Sequence, residues 1–231
     1  MTIPQLDARG IKYRFRNTKQ YKIAIGINRE AIVTIRYHKA IPFTKVIAYV
    51  DKNMPWIEEQ FLKFYKPSQR YINNAKYWYL GQEYILNIVK SSDNKVFTEA
   101  PYLSIYCENQ SEEAVKTVLN KFLDNERENI FHMLLQTCFA KMQDDLPKYP
   151  TLQIKGYKSR WGCCYPKRNL IILNKSLIHV PIYLIEYVIF HELAHLKYLD
   201  HQEHFHNLLA KYVPNEKALR QELNHYSPTD D

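Results

Sequence analysis

Five of the nine histidines lie within residues 191–206, and three residues at the start of this cluster have a spacing that suits metal chemistry. His191, Glu192 and His195 form an H-E-x-x-H motif. Residues four apart lie within about 40° of each other around an α-helix, so the two imidazoles can reach one divalent cation. Glu192 is rotated by about 100° from His191, which suits it to take a proton from a metal-bound water molecule rather than to bind the ion.

The segment that carries this motif is apolar at most positions from 183 to 196, which predicts a buried helix. Ionisable side chains in a buried helix are costly unless a partner compensates their desolvation. A cation shared by the two imidazoles would supply that compensation. We therefore prefer a metal site to histidines that only hydrogen-bond their neighbours.

A third ligand must come from outside the motif, and His201 is the first choice. It lies six residues after His195, and Asp200 with Glu203 forms a pair similar to a capping box. This pair predicts that a new helix begins at His201, after a turn that brings its ring back over the site.

Two other side chains remain candidates for the third ligand. His204 is the rival third ligand, because it follows His201 by three residues and shares its helix face. Glu216 ranks below it and would give a site of two histidines and one glutamate. His206 points about 140° away from His201 and is weaker still.

Residues 158–164 read as a turn with an exposed cation, followed by a buried strand over 169–173. Arg160 in this turn is a candidate for binding a substrate carboxylate or phosphate, or for stabilising an oxyanion. Cys163 and Cys164 are zinc ligands by type, but three histidines are already available. We expect both cysteines to be core or loop residues.

The composition excludes several classes of protein. The chain has 231 residues, 46 % of them apolar and 24 % charged, which is typical of a globular protein. Its five glycines form no phosphate-binding Gly-rich loop, and its four cysteines form no C-x-x-C pair. No segment has the length of a membrane span or the apolar core of a signal peptide. These features predict a reduced, cytoplasmic protein with no membrane contact.

The net charge of +8 comes entirely from the start of the chain. Residues 1–50 contain ten Lys or Arg and two acidic residues, whereas residues 51–231 contain twenty-two of each. Residues 11–16 alternate apolar and cationic side chains, which predicts a strand with one basic face. An ordinary solvated face is the preferred interpretation, and contact with a polyanion such as nucleic acid is the alternative.

The hydrophobic pattern predicts an α+β protein with two regions, a basic β-rich lobe with a helical insertion over 1–110 and a helix-and-sheet core over 111–231 that contains the H-E-x-x-H motif. Before residue 110 the predicted elements are strands within 11–38 around a turn at residues 28–30, a helical stretch over 44–65 broken at Pro55, a hairpin over 78–89 around Gly81 and a strand over 102–107. After residue 110 they are a long helix from Ser111 to about 142, strands over 151–155 and 169–173, a helix over 181–197 and two short helices separated by residues 213–215.

The segments 159–164, 173–174, 191–196 and 201–205 together resemble the YgjP-like family of metal-dependent hydrolases, which is related to the SprT-like metallopeptidases. The likeness covers nearly the whole chain and implies zinc, or another divalent transition metal, in a zincin-like core with an HExxH active-site helix. In that family the metal ligands match His191, His195 and His201, and the catalytic acid/base matches Glu192. This chain has Cys163 where the family usually has Ser, and His206 where it usually has Trp.

The leading hypothesis for the function is a zinc-dependent metallopeptidase that acts on a peptide or protein substrate. A metal-activated water would attack the peptide bond, with Glu192 as general base and then acid. One alternative is a hydrolase of nucleoside triphosphates, suggested by Arg160 and the basic lobe. The other alternative is a nucleic-acid-associated module whose metal is structural and closed by a fourth protein ligand.

Overall fold

The computed structural model describes residues 2–28, 31–64, 70–146, 148–226 and 228. Over these residues the chain forms seven α-helices and ten strands arranged in three sheets, which is the mixed α+β class that the sequence predicts. It divides into two compact units, Met1–Ser68 and Gln69–Asp231, called here the N-terminal and C-terminal units. Within the described ranges, no helix combines the length and the apolar character that crossing a membrane requires.

The N-terminal unit contains a three-stranded sheet with the order β1-β3-β2, in which β1 runs parallel and β2 antiparallel to β3. Apolar side chains on one face of this sheet pack with side chains of the helices in a single core. The elements are α1 (Pro4–Asp7), β1 (Tyr13–Asn17), β2 (Ile23–Ile27), β3 (Val33–Tyr37), α2 (Phe43–Lys52) and α3 (Met54–Phe64).

The strands predicted within 11–38 are confirmed, and the helical stretch is broken close to where Pro55 predicts. Asn53 separates α2 from α3, and Pro55 is the second residue of α3. Proline is tolerated there because the first N–H groups of a helix have no partner within the helix. Two residues of the turn predicted at 28–30, 29 and 30, lie outside the described residues.

The first half of the C-terminal unit is a four-stranded sheet followed by a long helix. The sheet order is β4-β5-β7-β6, and Gly81 lies in the turn between β4 and β5 with a φ of +78°. A Cβ at this glycine would lie 2.5 Å from Cγ of Pro181, so only glycine fits between this turn and the residue before α5. The elements are β4 (Lys76–Tyr79), β5 (Gln82–Lys90), β6 (Lys95–Glu99), β7 (Tyr102–Cys107) and α4 (Glu112–Met142).

The second half of the C-terminal unit contains the residues that the sequence assigns to the site. Its sheet has the order β8-β10-β9, and all five residues of β10 are buried. The strand β9, which the sequence analysis takes as a turn, pairs antiparallel with β10 at the edge of this sheet. The elements are β8 (Thr151–Lys155), β9 (Gly162–Tyr165), β10 (Leu170–Asn174), α5 (Ile182–Ala194), α6 (Glu203–Tyr212) and α7 (Glu216–Leu223).

The division between the compact units differs from the predicted boundary at residues 110 and 111. The sheet β4–β7 and helix α4 share one core: Leu86 and Leu103 belong to the same buried cluster as Leu119 of α4 and Leu193 of α5. The shift from strand to helix near residue 110 is therefore a change of secondary structure within one core. The assignment of separate functions to 1–110 and 111–231 stays a prediction.

Candidate metal centre

Helix α5 supplies two residues of the H-E-x-x-H motif, and its end supplies the third. The helix is apolar almost all round and is buried along most of its length, with Leu184, Ile189 and Leu193 fully covered. It ends at Ala194, so His195 is its C-cap residue rather than part of a helix that continues to residue 197. The burial of this helix, predicted from its composition, is confirmed.

Three imidazoles converge at the end of α5, from His191, His195 and His201. Nε2 of His201 lies 3.1 Å from Nε2 of His191 and 3.2 Å from Nε2 of His195. These are the side chains that, among the described residues, form a cluster able to hold a metal ion, with ligand atoms within 4.8 Å of one another. Nitrogens about 2.0–2.1 Å from a tetrahedral zinc ion lie about 3.3–3.4 Å apart, so the observed spacing is close to that of a ligand set.

The hydrogen bonds around the cluster also favour a bound cation over hydrogen bonds among the three imidazole rings. Nδ1 of His195 lies 2.9 Å from the carbonyl oxygen of Tyr198, which can only accept, so Nδ1 carries the hydrogen and Nε2 presents a lone pair. A single hydrogen on Nε2 of His201 cannot bridge well to both neighbouring nitrogens. A divalent cation accepts lone pairs from all three rings, and the contact with Tyr198 is the kind of second interaction that orients a ligating histidine.

Phe205 in α6 packs against all three imidazole rings. Its side chain is fully buried, and its ring centroid lies 5.0 Å from His191, 4.6 Å from His195 and 4.8 Å from His201. Contact with one rigid ring limits the orientations that the imidazoles can adopt. The sequence analysis gives Phe205 no role. Its position between the histidines at 204 and 206 is the sequence feature from which a place beside the cluster could have been predicted.

His201 lies in the turn before α6 and does not begin that helix. The predicted helix start at His201 is wrong, because α6 begins at Glu203 with Gln202 as its N-cap. Asp200 still organises the turn, since its Oδ1 accepts a hydrogen bond of 3.3 Å from the backbone N–H of Gln202. The turn brings the ring of His201 over α5, as the sequence predicts.

The other candidates for the third ligand lie outside the cluster. The exposed ring of His204 stacks on Tyr198 at 5.9 Å. Glu216 accepts a hydrogen bond from Nδ1 of His206 at 3.1 Å. The structure therefore places His204, His206 and Glu216 next to the cluster, with none of them among the three converging side chains.

The environment of His191 and His195 favours their neutral forms, which are the forms that bind metals. Burial lowers the pKa of His191 to about 3, with further effects from the charges of His195 and His201. Burial also lowers the pKa of His195, although the hydrogen bond to the Tyr198 carbonyl opposes this shift. Nδ1 of His191 is buried and has no hydrogen-bond partner among the described residues.

Glu192 is one of the few buried charged residues of the described chain, with 6 % of its surface exposed. Burial raises the pKa of its carboxyl to about 8, against the opposing effect of the Arg160 guanidinium. A divalent cation beside such a carboxyl would favour its ionised form again.

Gly162 makes room for this carboxylate. A Cβ on Gly162 would lie 2.8 Å from Oε1 and 2.9 Å from Cγ of Glu192, which no ordinary packing allows. The first residue of β9 must therefore lack a side chain if Glu192 is to keep its position. The sequence analysis names Gly162 within a motif but gives it no role.

Asn174 at the end of β10 holds the loop that contains Arg160. Its Nδ2 donates to the carbonyls of Tyr157 at 2.7 Å and Arg160 at 2.8 Å, and its Oδ1 accepts from the backbone N–H of Ser176 at 3.1 Å. Asn174 is fully buried, so these bonds replace all contact with water. The guanidinium of Arg160 is exposed and lies 5.4 Å from the centre of the Tyr157 ring.

The two adjacent cysteines lie in β9 and are outside the histidine cluster. Sγ of Cys163 contacts the hydroxyl of Tyr157 at 3.8 Å, and burial raises the pKa of the Cys164 thiol to about 12. A thiol with a raised pKa is a poor metal ligand, because the thiolate is the binding form. Both cysteines are free and partly buried, and they lie in a strand at the edge of a sheet rather than in the core or a loop.

The helices on either side of the site are joined through Asp145. Its carboxylate accepts hydrogen bonds from Nζ of Lys211 at 2.8 Å and from the hydroxyl of Tyr212 at 2.6 Å, both in α6. It also contacts Nζ of Lys197, beyond the end of α5, at 3.5 Å. Asp145 therefore links the segments that precede and follow the turn containing His201.

The family of this protein follows from a comparison of its sequence with family models. The model described as "YgjP-like, metallopeptidase domain" matches residues 21–226, so the chain belongs to the YgjP-like family. The resemblance seen in the sequence is confirmed. Family and histidine cluster together indicate a metal-dependent hydrolase with a metal-binding site.

Two solved structures are similar to part of the chain. The metallopeptidase zymogen abylysin of Pyrococcus abyssi is 21 % identical, with a TM-score of 0.37, over 40 % of this chain and 90 % of that one. The metallopeptidase zymogen jannalysin of Methanocaldococcus jannaschii is 20 % identical, with a TM-score of 0.36, over 40 % of this chain and 92 % of that one. No curated protein sequence matches the chain.

Proposed function

We propose that the protein is a zinc-dependent metallopeptidase with a zincin-like site at the end of α5, in which His191, His195 and His201 bind the metal. The observation that carries the proposal is the convergence of three Nε2 atoms, two of them 3.1 and 3.2 Å from the third, next to a buried carboxylate. Membership of a metallopeptidase family supports peptide bonds as the substrate.

The ion bound by the three imidazoles would lower the pKa of a water molecule to about 7 and polarise the substrate carbonyl. Glu192 does not belong to the ligand cluster, and its burial favours direct transfer of a proton. Its carboxylate takes the proton of the attacking water and delivers it to the leaving nitrogen. Gly162 keeps the space in which the carboxylate performs both steps.

The loop before β9 supplies the cation that this reaction needs. Arg160 is exposed, yet it is close enough to Glu192 for its charge to affect the pKa of that carboxyl. A guanidinium at this place stabilises the negative charge that develops on the carbonyl oxygen. The edge strand β9 also offers unpaired backbone groups with which an extended peptide can form hydrogen bonds.

A catalytic metal fits the site better than a structural one. Structural zinc sites are closed by four protein ligands, whereas catalytic sites have three and leave one position open. In the described part of the chain, three side chains come together and no cysteine or carboxylate joins them. This supports an enzyme over a nucleic-acid module with a structural metal.

The test combines metal analysis of the purified full-length protein with hydrolysis of an unfolded protein and of a nucleoside triphosphate panel. We expect about one zinc ion per chain and cleavage of the unfolded protein. Glu192→Gln should retain the metal and lose about 10²–10⁴ in kcat, as removal of a general base does. His201→Ala should lose both metal and activity.

His204→Ala is the matched control, because this exposed histidine lies three residues from His201 and outside the cluster. It should retain metal and activity. Full activity of Glu192→Gln would contradict the proposed mechanism. Release of phosphate from nucleotides without cleavage of protein would contradict the proposed substrate.

A further inference from the structure

The sheet of the N-terminal unit has a second face, opposite the core of that unit, and the described residues make this face cationic. Tyr13 and Phe15 of β1 turn toward the core with Val33 and Ile35 of β3, so the alternate residues point the other way. We call the outward side the basic face; its cations are the exposed side chains of Arg14, Arg16 and Arg36.

The arginines of the basic face are close together, and no acidic side chain that the structure describes lies on the same three strands. Arg16 is directly opposite Arg36 in the parallel pair β1–β3, an arrangement in which like charges destabilise the sheet. Nε of Arg14 donates to the hydroxyl of Thr34 at 3.1 Å. Within the described ranges, none of these three guanidinium groups forms an ion pair with a carboxylate. An anion bound between them would remove the repulsion.

The acidic residues of the N-terminal unit are placed elsewhere. Those that the structure describes, Asp7, Asp51, Glu58 and Glu59, all belong to helices α1, α2 and α3. Side chains of these helices pack with the opposite, apolar face of the sheet. The basic face therefore has three cations and none of the acidic side chains that the structure describes in this unit, so its field has one sign.

The turn between β1 and β2, at the end of the sheet where Arg16 and Arg36 lie, also has an exposed aromatic ring. The side chain of Tyr21 is 70 % exposed, and its ring lies 5.5 Å from that of His38. Three exposed lysines, Lys19, Lys22 and Lys39, are close to these two rings in the chain. An exposed ring among cations is the arrangement on which unpaired nucleobases stack.

The part of the face next to Arg36 is flat. Ala24 and Gly26 of β2 lie opposite Arg36 and Thr34 in the antiparallel pair, and neither has a side chain larger than a methyl group. A Cβ on Gly26 would meet no atom within 4 Å, so the surface there is open. A chain of phosphates can approach the arginines across β2 without a steric barrier.

We propose that the basic face binds single-stranded nucleic acid, with Arg14, Arg16 and Arg36 on the phosphates and Tyr21 stacked on a base. Arginine suits this role because its planar fork matches phosphate oxygens. An acidic peptide has no bases to stack on Tyr21. A lipid surface offers no unpaired base to Tyr21 either, so the exposed ring beside the arginines favours single-stranded nucleic acid over a membrane. This surface lies wholly in the N-terminal unit and does not depend on the proposed peptidase activity.

The experiment measures fluorescence anisotropy of a labelled oligodeoxythymidylate of about 20 nucleotides, longer than one typical binding site, with the metal-stripped full-length protein. Stripping the metal excludes phosphate contacts with a metal ion. We expect affinity to fall with salt at a slope of about −0.7 for each phosphate contacted. The double variant Arg16→Gln/Arg36→Gln should weaken binding about tenfold or more and reduce the slope by about 1.4.

Lys45→Gln/Lys52→Gln is the matched control, because it removes the same charge from α2, whose lysines are exposed on the other side of the unit's core. It should leave affinity within about twofold. Tyr21→Ala should weaken binding about tenfold with no change in the salt slope, since stacking contributes no counterion release.

Three results would overturn the proposal. The first is an equal loss of affinity in the two double variants, which would show that binding depends only on the net charge of the protein. The second is binding of polyglutamate or of anionic vesicles as tight as that of the oligonucleotide. The third is an affinity for the oligonucleotide that does not change between low and moderate salt.

Discussion

Two of the three sheets in this protein have the same topology and opposite surroundings. In β1-β3-β2 and in β8-β10-β9 the last strand along the chain is central, parallel to the first strand and antiparallel to the second. The central strand β3 is buried except at Arg36, whereas β10 is buried at all five residues. The same arrangement of strands thus forms a partly solvent-exposed sheet in one unit and, in the other, a buried sheet whose edge strand lies against Glu192.

The comparison teaches that topology does not determine what a sheet does; the elements packed on its faces determine it. A strand with one free face alternates apolar and polar residues, and a strand covered on both faces is a continuous apolar run. The sequences Val-Thr-Ile-Arg-Tyr of β3 and Leu-Ile-Ile-Leu-Asn of β10 show this difference. Only the covered sheet can exclude water from a carboxylate such as Glu192.

The largest effect expected from this comparison is a difference in the free energy of unfolding when the fourth residue of each central strand is replaced by alanine. Leu173→Ala should lower the free energy of unfolding by about 2–5 kcal/mol, because the side chain is fully buried. Arg36→Ala, at the equivalent place in β3, should change it by no more than about 0.5 kcal/mol. Urea denaturation of both variants measures the difference, and equal losses would show that the two sheets are not covered differently.

The glycines of the two antiparallel edge strands give the second test. Gly162→Ala should reduce kcat/KM for peptide hydrolysis about 100-fold, since the new methyl group displaces the Glu192 carboxylate by a fraction of an ångström to one ångström. Gly26→Ala in β2 meets no atom within 4 Å and should leave activity unchanged. Steady-state kinetics of both purified variants decide the matter. Full activity of Gly162→Ala would contradict the proposed role of this glycine.

The last residue of β10 allows a test of how the covered sheet holds the Arg160 loop. Asn174→Ala removes the donor and the acceptor of three hydrogen bonds and should lower the free energy of unfolding by about 2 kcal/mol. Because Arg160 is proposed to stabilise the charge that develops on the carbonyl oxygen, kcat should fall more than KM rises. Asn169→Ala, which removes one exposed hydrogen bond before β10, is the control and should have a smaller effect. An unchanged kcat would argue against Arg160 as the group that stabilises this charge.

The smallest effect concerns pH and the link through Asp145. Hydrogen bonds from Lys211, and then from Tyr212, lower the pKa of the Asp145 carboxyl to about 2. A carboxyl whose pKa is lowered by folding stabilises the folded state above its unfolded pKa of about 4, and this contribution is lost as the pH falls toward 2. The Tm advantage of the wild type over Asp145→Asn should therefore be constant from about pH 5 to 7 and shrink below pH 4. A constant advantage down to pH 2 would contradict this.

Local patterns predicted the elements well where burial is one-sided or complete. The strands at 13–17, 23–27 and 33–37, the strand at 102–107 and the start of α4, with Ser111 as its N-cap, agree with the prediction. The short strand β9 was missed, because residues 158–164 contain a glycine, an arginine and a tryptophan in an order typical of a turn. Residues 162–165 form a strand because they pair with β10, although the sequence of β9 does not itself indicate a strand.

The sequence alone determined which residues can meet at the end of α5. The spacing of His191, Glu192 and His195 follows from helix geometry, which is local and needs no knowledge of distant parts of the chain. Only the tertiary structure decided that His201 rather than His204 completes the cluster, that Phe205 lies under its rings and that Gly162 lies against Glu192. These are contacts between separate segments, and packing of the whole core, not the pattern within one segment, determines which segments come together.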